Sequence, residues 1–426
     1  MTLTIGPLRA EPGQKTRGSL PADLGTTTVD VPLILVNGSR PGPRVVITGG
    51  VHGGEFIPVD ATTRLAGLLE PADVAGQLVI CPVANPPAVY GGRLNISPLD
   101  GVNINRVFPG DKDGGPTDRM AAWLFEHLID GADAYIDLHS GGIDQHLLDF
   151  VGYRLTSDDE LTAKNKAMAH AVGYERVIFG TTPEGGNSHA AANRQGIPAI
   201  LVETGKLGDR NPATVRRLLD ALYRLLHHLG VLGAPEHLAP VTVQPRDWMW
   251  TGEVESEVAG LWYPDAVTGD EVTEGQTIGR IIDPVDGAEH KIAAVSSGTI
   301  IYHMNGLSVR PGTQLNGIYE IDSPIAVGGM GEVFRGHNIQ TGDPVAIKIV
   351  LPEFARDEMI LELFRKEARI LNHLSHDAIV RYYVFSIDAD LGRPYLAMEF
   401  VDGPSLGERI TSGPLDLDDV IYLQRR

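Results

Sequence analysis

Four short apolar runs recur in the first 233 residues, and amphipathic helical segments separate them. The runs are "RVVITGG", "QLVICPV", "DAYIDLHS" and "PAILVETG". Short runs of β-branched and aliphatic residues are typical of strands that are buried on both faces, and the intervening helices then cover those faces. The alternation therefore predicts an α/β domain in which helices lie on both sides of a largely parallel sheet.

Composition and charge exclude several classes of function. The chain has 426 residues and a formal net charge of −20. An acidic surface repels phosphates, so neither nucleic acid nor an anionic membrane is expected as a partner. No uncharged run reaches the roughly 18 residues of a membrane helix, and the N-terminal residues lack a signal-peptide core. We predict a cytoplasmic protein with small-molecule partners, and a homo-oligomer is compatible with this pattern.

Changes in composition divide the chain into three parts. The segment "GAPEHLAP" at 233–240 ends the helical periodicity, and short strands and turns follow it. A third composition begins near "GIYEIDSP". We predict domains at 1–236, 237–316 and 317–426.

Cys81, the only cysteine, lies in an apolar run, which indicates a buried core residue and excludes an intrachain disulfide.

The stretch "VHGGEFIP" suggests part of a metal site. His52 and Glu55 follow the first apolar run across two glycines, which let the backbone turn so that both side chains can converge. His139 directly follows another run and precedes two further glycines. Because the carboxyl ends of parallel strands form one crevice, the three side chains can meet. Two histidines and one glutamate are a known ligand set for catalytic zinc.

Two further features supply candidate chemistry. Glu203 ends the fourth apolar run, where an acid is costly without a purpose, and it is a candidate base. Asn105 and Arg106 are adjacent in a loop rich in Gly, Pro and Asn, and arginine is suited to gripping a carboxylate.

The motifs "HGGE", "DGVNINRVFPG", "DLHS" and "ETG", in this order, resemble the succinylglutamate desuccinylase and aspartoacylase family, a branch of the zinc carboxypeptidase superfamily. The resemblance covers roughly residues 30 to 316. It implies a zinc-carboxypeptidase-like α/β/α sandwich followed by a β-rich subdomain. It also implies that one Zn²⁺ ion is bound by His52, Glu55 and His139.

The resemblance further implies residue roles and a reaction. Glu203 would be the general base, Asn105 and Arg106 would bind the substrate carboxylate, and Arg93 in "YGGRLN" would polarise the scissile carbonyl. The expected substrate is a small N-acylated amino acid or amide, and the expected reaction is its N-deacylation. A zinc carboxypeptidase shares the whole metal site and stays an alternative. The same ligands can also hold manganese, cobalt or iron.

Three other histidines lie outside the four motifs. His146, His170 and His189 are interpreted as solvated or helix-surface residues, although His189 could line the pocket.

Residues 255 to 315 resemble the β-subdomain of this family, which is similar to lipoyl carriers. The segment "AAVSSGTI" lacks the lysine that a carrier needs at its hairpin tip, so we expect a non-lipoylated cap or an oligomerisation surface.

A different signature follows in the last part of the chain. The segment "IAVGGMGEVFRG" contains Gly328 and Gly331, and "VAIK" places Lys348 on a later strand. Glu367 falls on the apolar stripe of a helix predicted near 356–374, where it needs a partner such as Lys348. These features, together with "LAMEFVDGPSL", resemble the small lobe of a bacterial Ser/Thr protein kinase over about 320–410.

Two departures limit what this second resemblance implies. Ala326 replaces the first glycine of the loop, and the sequence shows neither a His-Arg-Asp loop nor an Asp-Phe-Gly motif. Phosphoryl transfer by this chain is not expected. ATP binding by the lobe, and a regulatory role that depends on it, stay open as the alternative to a hydrolase.

Overall fold

The computed structural model describes residues 1–92, 95–180, 186–234, 238, 241, 243–321, 324–328, 331–337, 344–350, 366, 380, 382–387 and 394–401. The chain divides into two compact units, residues 1–321 and 322–426. The predicted division into three domains stays a prediction.

The first unit contains most of the helices and strands. Its first eleven strands are β1 (Leu3–Ile5), β2 (Leu8–Ala10), β3 (Gln14–Asp23), β4 (Thr28–Asn37), β5 (Arg40–Thr48), β6 (Ala75–Cys81), β7 (Ala134–His139), β8 (Gln145–Leu147), β9 (Phe150–Arg154), β10 (Arg176–Gly180) and β11 (Ala199–Glu203). The later strands are β12 (Arg246–Glu255), β13 (Gly260–Pro264), β14 (Glu271–Val272), β15 (Thr277–Ile282), β16 (Glu289–Ala293), β17 (Gly298–Met304), β18 (Ser308–Val309) and β19 (Gln314–Ile321).

Five α-helices connect these strands. They are α1 (Phe56–Leu68), α2 (Pro116–Leu124), α3 (Asp159–Ala171), α4 (Ser188–Arg194) and α5 (Pro212–His228). Short π-helical turns span Pro87–Gly92 and Phe125–Ile129, and a 3₁₀ turn spans Ile104–Arg106. Within the described ranges, no helix combines the length and the apolar composition needed to cross a bilayer.

The four apolar runs that the sequence singled out are neighbouring strands at the centre of one sheet. The order of the main sheet is β14-β17-β19-β12-β10-β9-β11-β7-β5-β6-β4-β3, with β8 paired to β17. The pairs β5–β6, β5–β7 and β7–β11 are parallel, whereas β9 runs antiparallel to β11. The sheet is therefore mixed, and its parallel centre brings the carboxyl ends of β5, β7 and β11 to one edge.

Helices pack on both faces of this sheet, as predicted. One core cluster joins α1, α3 and α5 to one face, and the other joins α2, α4 and the N-terminal strands to the opposite face. On α5 the apolar face is buried, with Leu218 and Leu226 fully enclosed. Cys81 is also fully buried, which confirms its predicted place in the core. The α/β/α sandwich is confirmed.

Residues 246–321 form strands that both extend the main sheet and build a smaller one. The smaller sheet has the order β16-β15-β13-β18. Its core includes Trp262, whose indole N–H donates to the carbonyl of Met304 over 3.0 Å. Because β12 pairs with β10, the β-rich region continues directly from the sheet of the α/β sandwich.

The second unit contains a five-stranded antiparallel sheet. Its strands are β20 (Pro324–Gly328), β21 (Gly331–His337), β22 (Pro344–Val350), β23 (Tyr382–Ile387) and β24 (Pro394–Glu399), in the order β20-β21-β22-β24-β23. This small antiparallel sheet agrees with the predicted kinase-like small lobe. Apart from Lys366, the helix predicted near 356–374 lies outside the described residues.

Candidate metal centre

Three adjacent strands present the predicted site at their carboxyl ends. His52 and Glu55 lie in the segment that follows β5, His139 is the last residue of β7, and Glu203 is the last residue of β11. Glu203 and His139 are register partners across the parallel β7–β11 pair. The glycine-containing turn after β5 ends where α1 begins, so Glu55 immediately precedes that helix.

The two histidines and Glu55 converge on one point. Nδ1 of His52 lies 2.7 Å from Oε1 of Glu55, and Nδ1 of His139 lies 2.9 Å from Oε2. All three side chains are buried, and one potential ligand atom from each lies within 4.8 Å of the others. The structure thus brings together residues that the sequence places 84 positions apart.

The other nitrogen of each imidazole faces an oxygen acceptor. Nε2 of His52 lies 3.0 Å from Oδ1 of Asn103, and Nε2 of His139 lies 2.9 Å from Oδ2 of Asp137. Acceptors at these positions keep a proton on each Nε2, so each Nδ1 can either donate a proton to Glu55 or, when unprotonated, offer its lone pair to a cation.

Sequence reasoning missed both of these acceptors. Asp137 is completely buried within an apolar strand, and an acid in such a place is costly. The same signal selected Glu203 and could have selected Asp137. Asn103 had no comparable signal, because its place beside His52 depends on how the loop folds.

Strong electrostatic coupling marks the cluster. Burial alone would raise the pKa of Glu55, but His52 and His139 outweigh it and lower that pKa to about 2. Burial likewise opposes the charged form of His139, yet Asp137 and Glu55 raise its pKa well above the ordinary range. The site therefore favours a carboxylate surrounded by positive charge.

The donor set fits a divalent cation. Two imidazole nitrogens and one carboxylate, each held by further hydrogen bonds, match the composition of catalytic zinc sites. A cation in their midst would replace the protons that otherwise have to bridge Nδ1 of each histidine to Glu55. The residues that could hold such an ion are His52, Glu55 and His139.

Glu203 differs from Glu55 in its surroundings. Its side chain is partly exposed, but its Oε2 atom is buried and has no hydrogen-bond partner in the part of the chain that the structure describes. Burial and then the charge of Glu55 raise the pKa of Glu203 to about 8, against the opposing charge of His139. Two carboxyl groups with pKa values pushed apart in this way are typical of acid–base sites.

Asn105 and Arg106 lie beside the cluster but in different environments. Asn105 is buried; its amide nitrogen is 3.3 Å from Nε2 of His139, and its Oδ1 accepts the backbone N–H of Ser188. Arg106 is exposed, and its Nη1 donates to the carbonyl of Asn105. The Ser188 hydroxyl donates to Asp137, so Asn105, Ser188 and Asp137 form one hydrogen-bonded support around His139.

Two residues considered in the sequence analysis, Arg93 and His189, do not lie where the sequence predicts or cannot be placed among the described residues. Arg93 lies outside the described residues. His189 is only 4% exposed, so its interpretation as a solvated or surface residue is wrong. Burial and the charge of Arg154 lower its pKa to about 3, and its Nδ1 has no hydrogen-bond partner within the described ranges. The packing of α4 against the sheet, which local sequence does not specify, causes this burial.

His146 and His170 also have specific partners. The ring of His146 stacks on His303 with a centroid distance of 4.9 Å, and Nδ1 of His146 lies 2.8 Å from Oγ1 of Thr268. His170 is half-buried, and its Nε2 lies 2.9 Å from Oδ1 of Asp247. These histidines connect β8 to β17 and α3 to β12, so they are structural contacts between elements that the sequence could not pair.

Comparison with known proteins agrees with this geometry. A family model for the succinylglutamate desuccinylase/aspartoacylase catalytic domain matches residues 41–229. The N-alpha-acetyl-L-2,4-diaminobutyric acid deacetylase of Halomonas elongata is 32% identical over 261 residues, which are 60% of this chain and 75% of that protein. The chain belongs to the succinylglutamate desuccinylase/aspartoacylase family.

A solved structure supports the same assignment. The succinylglutamate desuccinylase/aspartoacylase from Rhodobacter sphaeroides aligns with a TM-score of 0.64 and 29% identity, covering 72% of this chain and 95% of that one. The predicted family resemblance is confirmed. Its members include deacylating hydrolases, so the first unit of this chain has the fold of such an enzyme.

A second similarity concerns the remaining residues. A protein kinase domain model matches residues 319–422. The serine/threonine-protein kinase pkn2 of Myxococcus xanthus is 38% identical over 101 residues, which are 24% of this chain and 12% of that kinase. This confirms the predicted kinase-like region, and the chain spans only a small part of that kinase's length.

Three of the four predicted nucleotide-binding residues lie among the described residues. Gly328 and Gly331 are register partners at the ends of β20 and β21, and Lys348 lies half-buried on β22. Lys348 pairs in register with Val333 and Leu396. Glu367 lies outside the described residues, so its predicted pairing with Lys348 stays a prediction.

Proposed function

We propose that this protein is a zinc-dependent hydrolase that removes a short acyl group from the amino nitrogen of an N-acyl amino acid or a related small amide. One observation carries the proposal. Both Nδ1 atoms, of His52 and His139, face the carboxylate of Glu55 while oxygen acceptors engage both Nε2 atoms. This arrangement supports binding of a divalent cation.

The bound ion would supply Lewis acidity, which polarises a carbonyl and makes water easier to deprotonate. Glu203 accepts the proton of the attacking water and returns it to the leaving nitrogen as the C–N bond breaks. The products are a carboxylic acid and a free amine. The buried Oε2 of Glu203, which has no partner in the described ranges, supports this role because it is free to accept and release a proton.

Substrate orientation would come from the loop that carries Arg106. Its exposed guanidinium can grip the carboxylate of the amino acid. The substrate-binding role of Asn105 stays a prediction, since its amide already contacts Ser188 and lies near His139. The carbonyl-polarising role of Arg93 also stays a prediction. The relative from Halomonas elongata, named as a deacetylase, supports an amide rather than an ester as the substrate.

Metal content and amine release test the proposal together. We expect purified protein to carry close to one zinc ion and to release amine from a panel of N-acetyl and N-succinyl amino acids. A chelator should abolish this activity, and added zinc should restore it. Glu203→Gln should keep the metal but lose about 10²- to 10⁴-fold in kcat. Glu175→Gln, a substitution of the same type at the residue just before β10, is the matched control.

Three outcomes would contradict the proposal. They are amine release that survives complete metal removal, a Glu203→Gln variant with full activity, and a metal-bound protein that cleaves no member of the panel. Peptides with free carboxyl termini belong in the panel, because a carboxypeptidase would share this metal site. Tight ATP binding by a protein that is inactive on every substrate would favour the regulatory alternative.

A further inference from the structure

The proposed base lies between two neighbouring strands. Glu203, the last residue of β11, pairs in register with His139 on β7 and with Phe150 on β9. The ladder continues for one residue beyond β11, because the Thr204 N–H donates to the carbonyl of His139 over 3.0 Å. Thr204 is fully buried, and its hydroxyl lies 2.7 Å from the hydroxyl of Tyr174. The backbone directly after Glu203 therefore has fixed neighbours.

Asp149 is bonded to the next residue along the chain. Its Oδ1 accepts the backbone N–H of Gly205 over 3.0 Å. Gly205 has a φ of +89°, a conformation that favours glycine, and its carbonyl accepts the N–H of Gly141 over 2.9 Å. Asp149 directly precedes Phe150, the strand partner of Glu203, in the short connection between β8 and β9. Asp149 thus closes the turn that begins after Glu203.

Arg217 on α5 binds the other oxygen of this carboxylate. Its Nε donates to Oδ2 of Asp149, so each oxygen of Asp149 has a donor. The Asp149 side chain is only 22% exposed, which limits competition from water. A charge-assisted hydrogen bond is stronger than a neutral one, so Arg217 holds the Asp149 carboxylate in one orientation towards Gly205.

The side chain of Glu203 depends on this support because one of its oxygens is not bonded. Its Oε2 atom is buried and has no hydrogen-bond partner within the described ranges. A carboxyl group that its own hydrogen bonds do not hold takes its direction from the backbone that carries it. A displacement of about 1 Å can cost about 100-fold in rate, because proton transfer requires hydrogen-bond distance.

We propose that Asp149 is a positioning residue for Glu203, and that Arg217 keeps Asp149 in place. This inference rests on the proposed function, in which Glu203 is the base. Asp149 acts through the Gly205 N–H rather than by contact with the substrate. Loss of this hydrogen bond lets the turn after β11 move, so proton transfer by Glu203 slows while metal binding and substrate binding are retained.

Steady-state kinetics on the panel of N-acetyl and N-succinyl amino acids test this role. In Asp149→Ala we expect kcat to fall about 10- to 100-fold, with KM and zinc content within about twofold of wild type. Asp149→Asn keeps an oxygen that can accept the Gly205 N–H, so its kcat should lie between those of Asp149→Ala and wild type. Arg217→Gln should lower kcat less than Asp149→Ala does, because Asp149 is still present.

Hydrogen exchange measured by mass spectrometry does not depend on activity. Peptides that contain Gly205 should exchange faster in metal-free Asp149→Ala than in metal-free wild type, because the Gly205 N–H has lost its acceptor. Asp149→Asn should keep most of the protection. Thermal unfolding of each variant would check that it is folded. If Asp149→Ala is not folded, Asp149→Asn and Arg217→Gln carry the test through the order of their kcat values.

Asp133 provides the matched control. Its Oδ2 accepts the backbone N–H of Arg44 over 2.7 Å, and it directly precedes β7, at the edge of the sheet opposite the metal centre. Asp133→Ala therefore removes the same kind of hydrogen bond far from Glu203. We expect it to lower stability but to leave both kcat and the exchange of Gly205 as in wild type.

The outcomes separate this inference from the proposed function. Wild-type kcat in a folded Asp149→Ala, or unchanged exchange at Gly205, would overturn the role of Asp149 while leaving the deacylase intact. Loss of bound zinc in Asp149→Ala would also overturn it, since the turn would then support the metal centre rather than Glu203. A wild type that cleaves no member of the panel would overturn both.

Discussion

Nε2 of His139 lies 2.9 Å from Oδ2 of Asp137, on the opposite side of the imidazole from Glu55. Asp137 is completely buried, and the Ser188 hydroxyl donates to it while Thr48 donates to its other oxygen. His139 is consequently fixed in both orientation and tautomer by residues that need not touch a bound ion. Burial would raise the pKa of Asp137, but His139 outweighs it and lowers that pKa to about 2.

Asp137→Asn should weaken metal binding without removing a ligand. The substitution removes the negative charge that favours the Nε2–H form of His139, so we expect metal affinity to fall about 10- to 100-fold. Competition with a chromophoric chelator would measure the change. Asp247→Asn is the control, because Asp247 is a similarly shielded carboxylate that pairs with Lys166 and His170 instead. Equal metal affinity in Asp137→Asn and wild type would contradict a positioning role for Asp137.

Gly186→Ala should disturb the substrate loop. A Cβ atom at Gly186 would lie 1.8 Å from the carbonyl oxygen of Arg106, and the Gly186 carbonyl accepts the N–H of Phe108. Backbone atoms cannot move aside as a flexible side chain can, so the Arg106 loop must shift. A displacement of this kind should lower kcat/KM by on the order of 100-fold, measured as amine release.

Gly67→Ala is the control for Gly186→Ala, because it adds a methyl group where no neighbouring atom would be displaced. A Cβ atom at Gly67, in the last turn of α1, would meet nothing within 4 Å. Gly67→Ala should leave activity unchanged and slightly raise stability, since alanine is the better helix former. Near-wild-type kcat/KM in Gly186→Ala would mean that the loop accommodates the methyl group without moving Arg106.

His303 should make stability depend on pH. Its Nδ1 accepts the backbone N–H of Thr268 over 3.0 Å, so this nitrogen has to be unprotonated. Burial, and then the charge of His146, lower the pKa of His303 from 6.5 to about 4, with Lys206 acting in the same direction and Asp270 opposing it. The folded state thus binds this proton less readily than the unfolded state. The contribution of His303 is full above about pH 6.5 and declines as pH falls towards 4.

The substitution His303→Asn removes the titration of His303 and leaves the other titratable groups in place. The Asn amide oxygen can accept the Thr268 N–H but does not titrate near neutral pH. Between about pH 7.5 and about pH 5, we expect wild type to lose on the order of 1–2 kcal/mol more unfolding free energy than the variant, because solvent screening reduces the full effect. Urea unfolding at both pH values measures the difference. The exposed His228→Asn should follow wild type, and parallel losses in all three proteins would exclude His303 as the cause.

The sequence alone determined the central strands and the residues at their ends. Apolar runs have a length and a residue type that identify buried strands, and parallel strands bring their carboxyl ends to one edge. His52, Glu55, His139 and Glu203 could be proposed as neighbours for this reason. The kinase-like region could also be predicted from local motifs. The glycine-rich turn and the strand that carries Lys348 each need particular residues at fixed positions along the chain.

Only the tertiary structure decided which side chains surround those residues. Asp137 and Asn103 reach the histidines through sheet register and loop conformation, and the burial of His189 follows from the packing of α4. The stacking of His146 on His303 joins segments far apart in the sequence. Such contacts leave no local pattern, because they depend on how whole elements pack rather than on the propensity of any one of them.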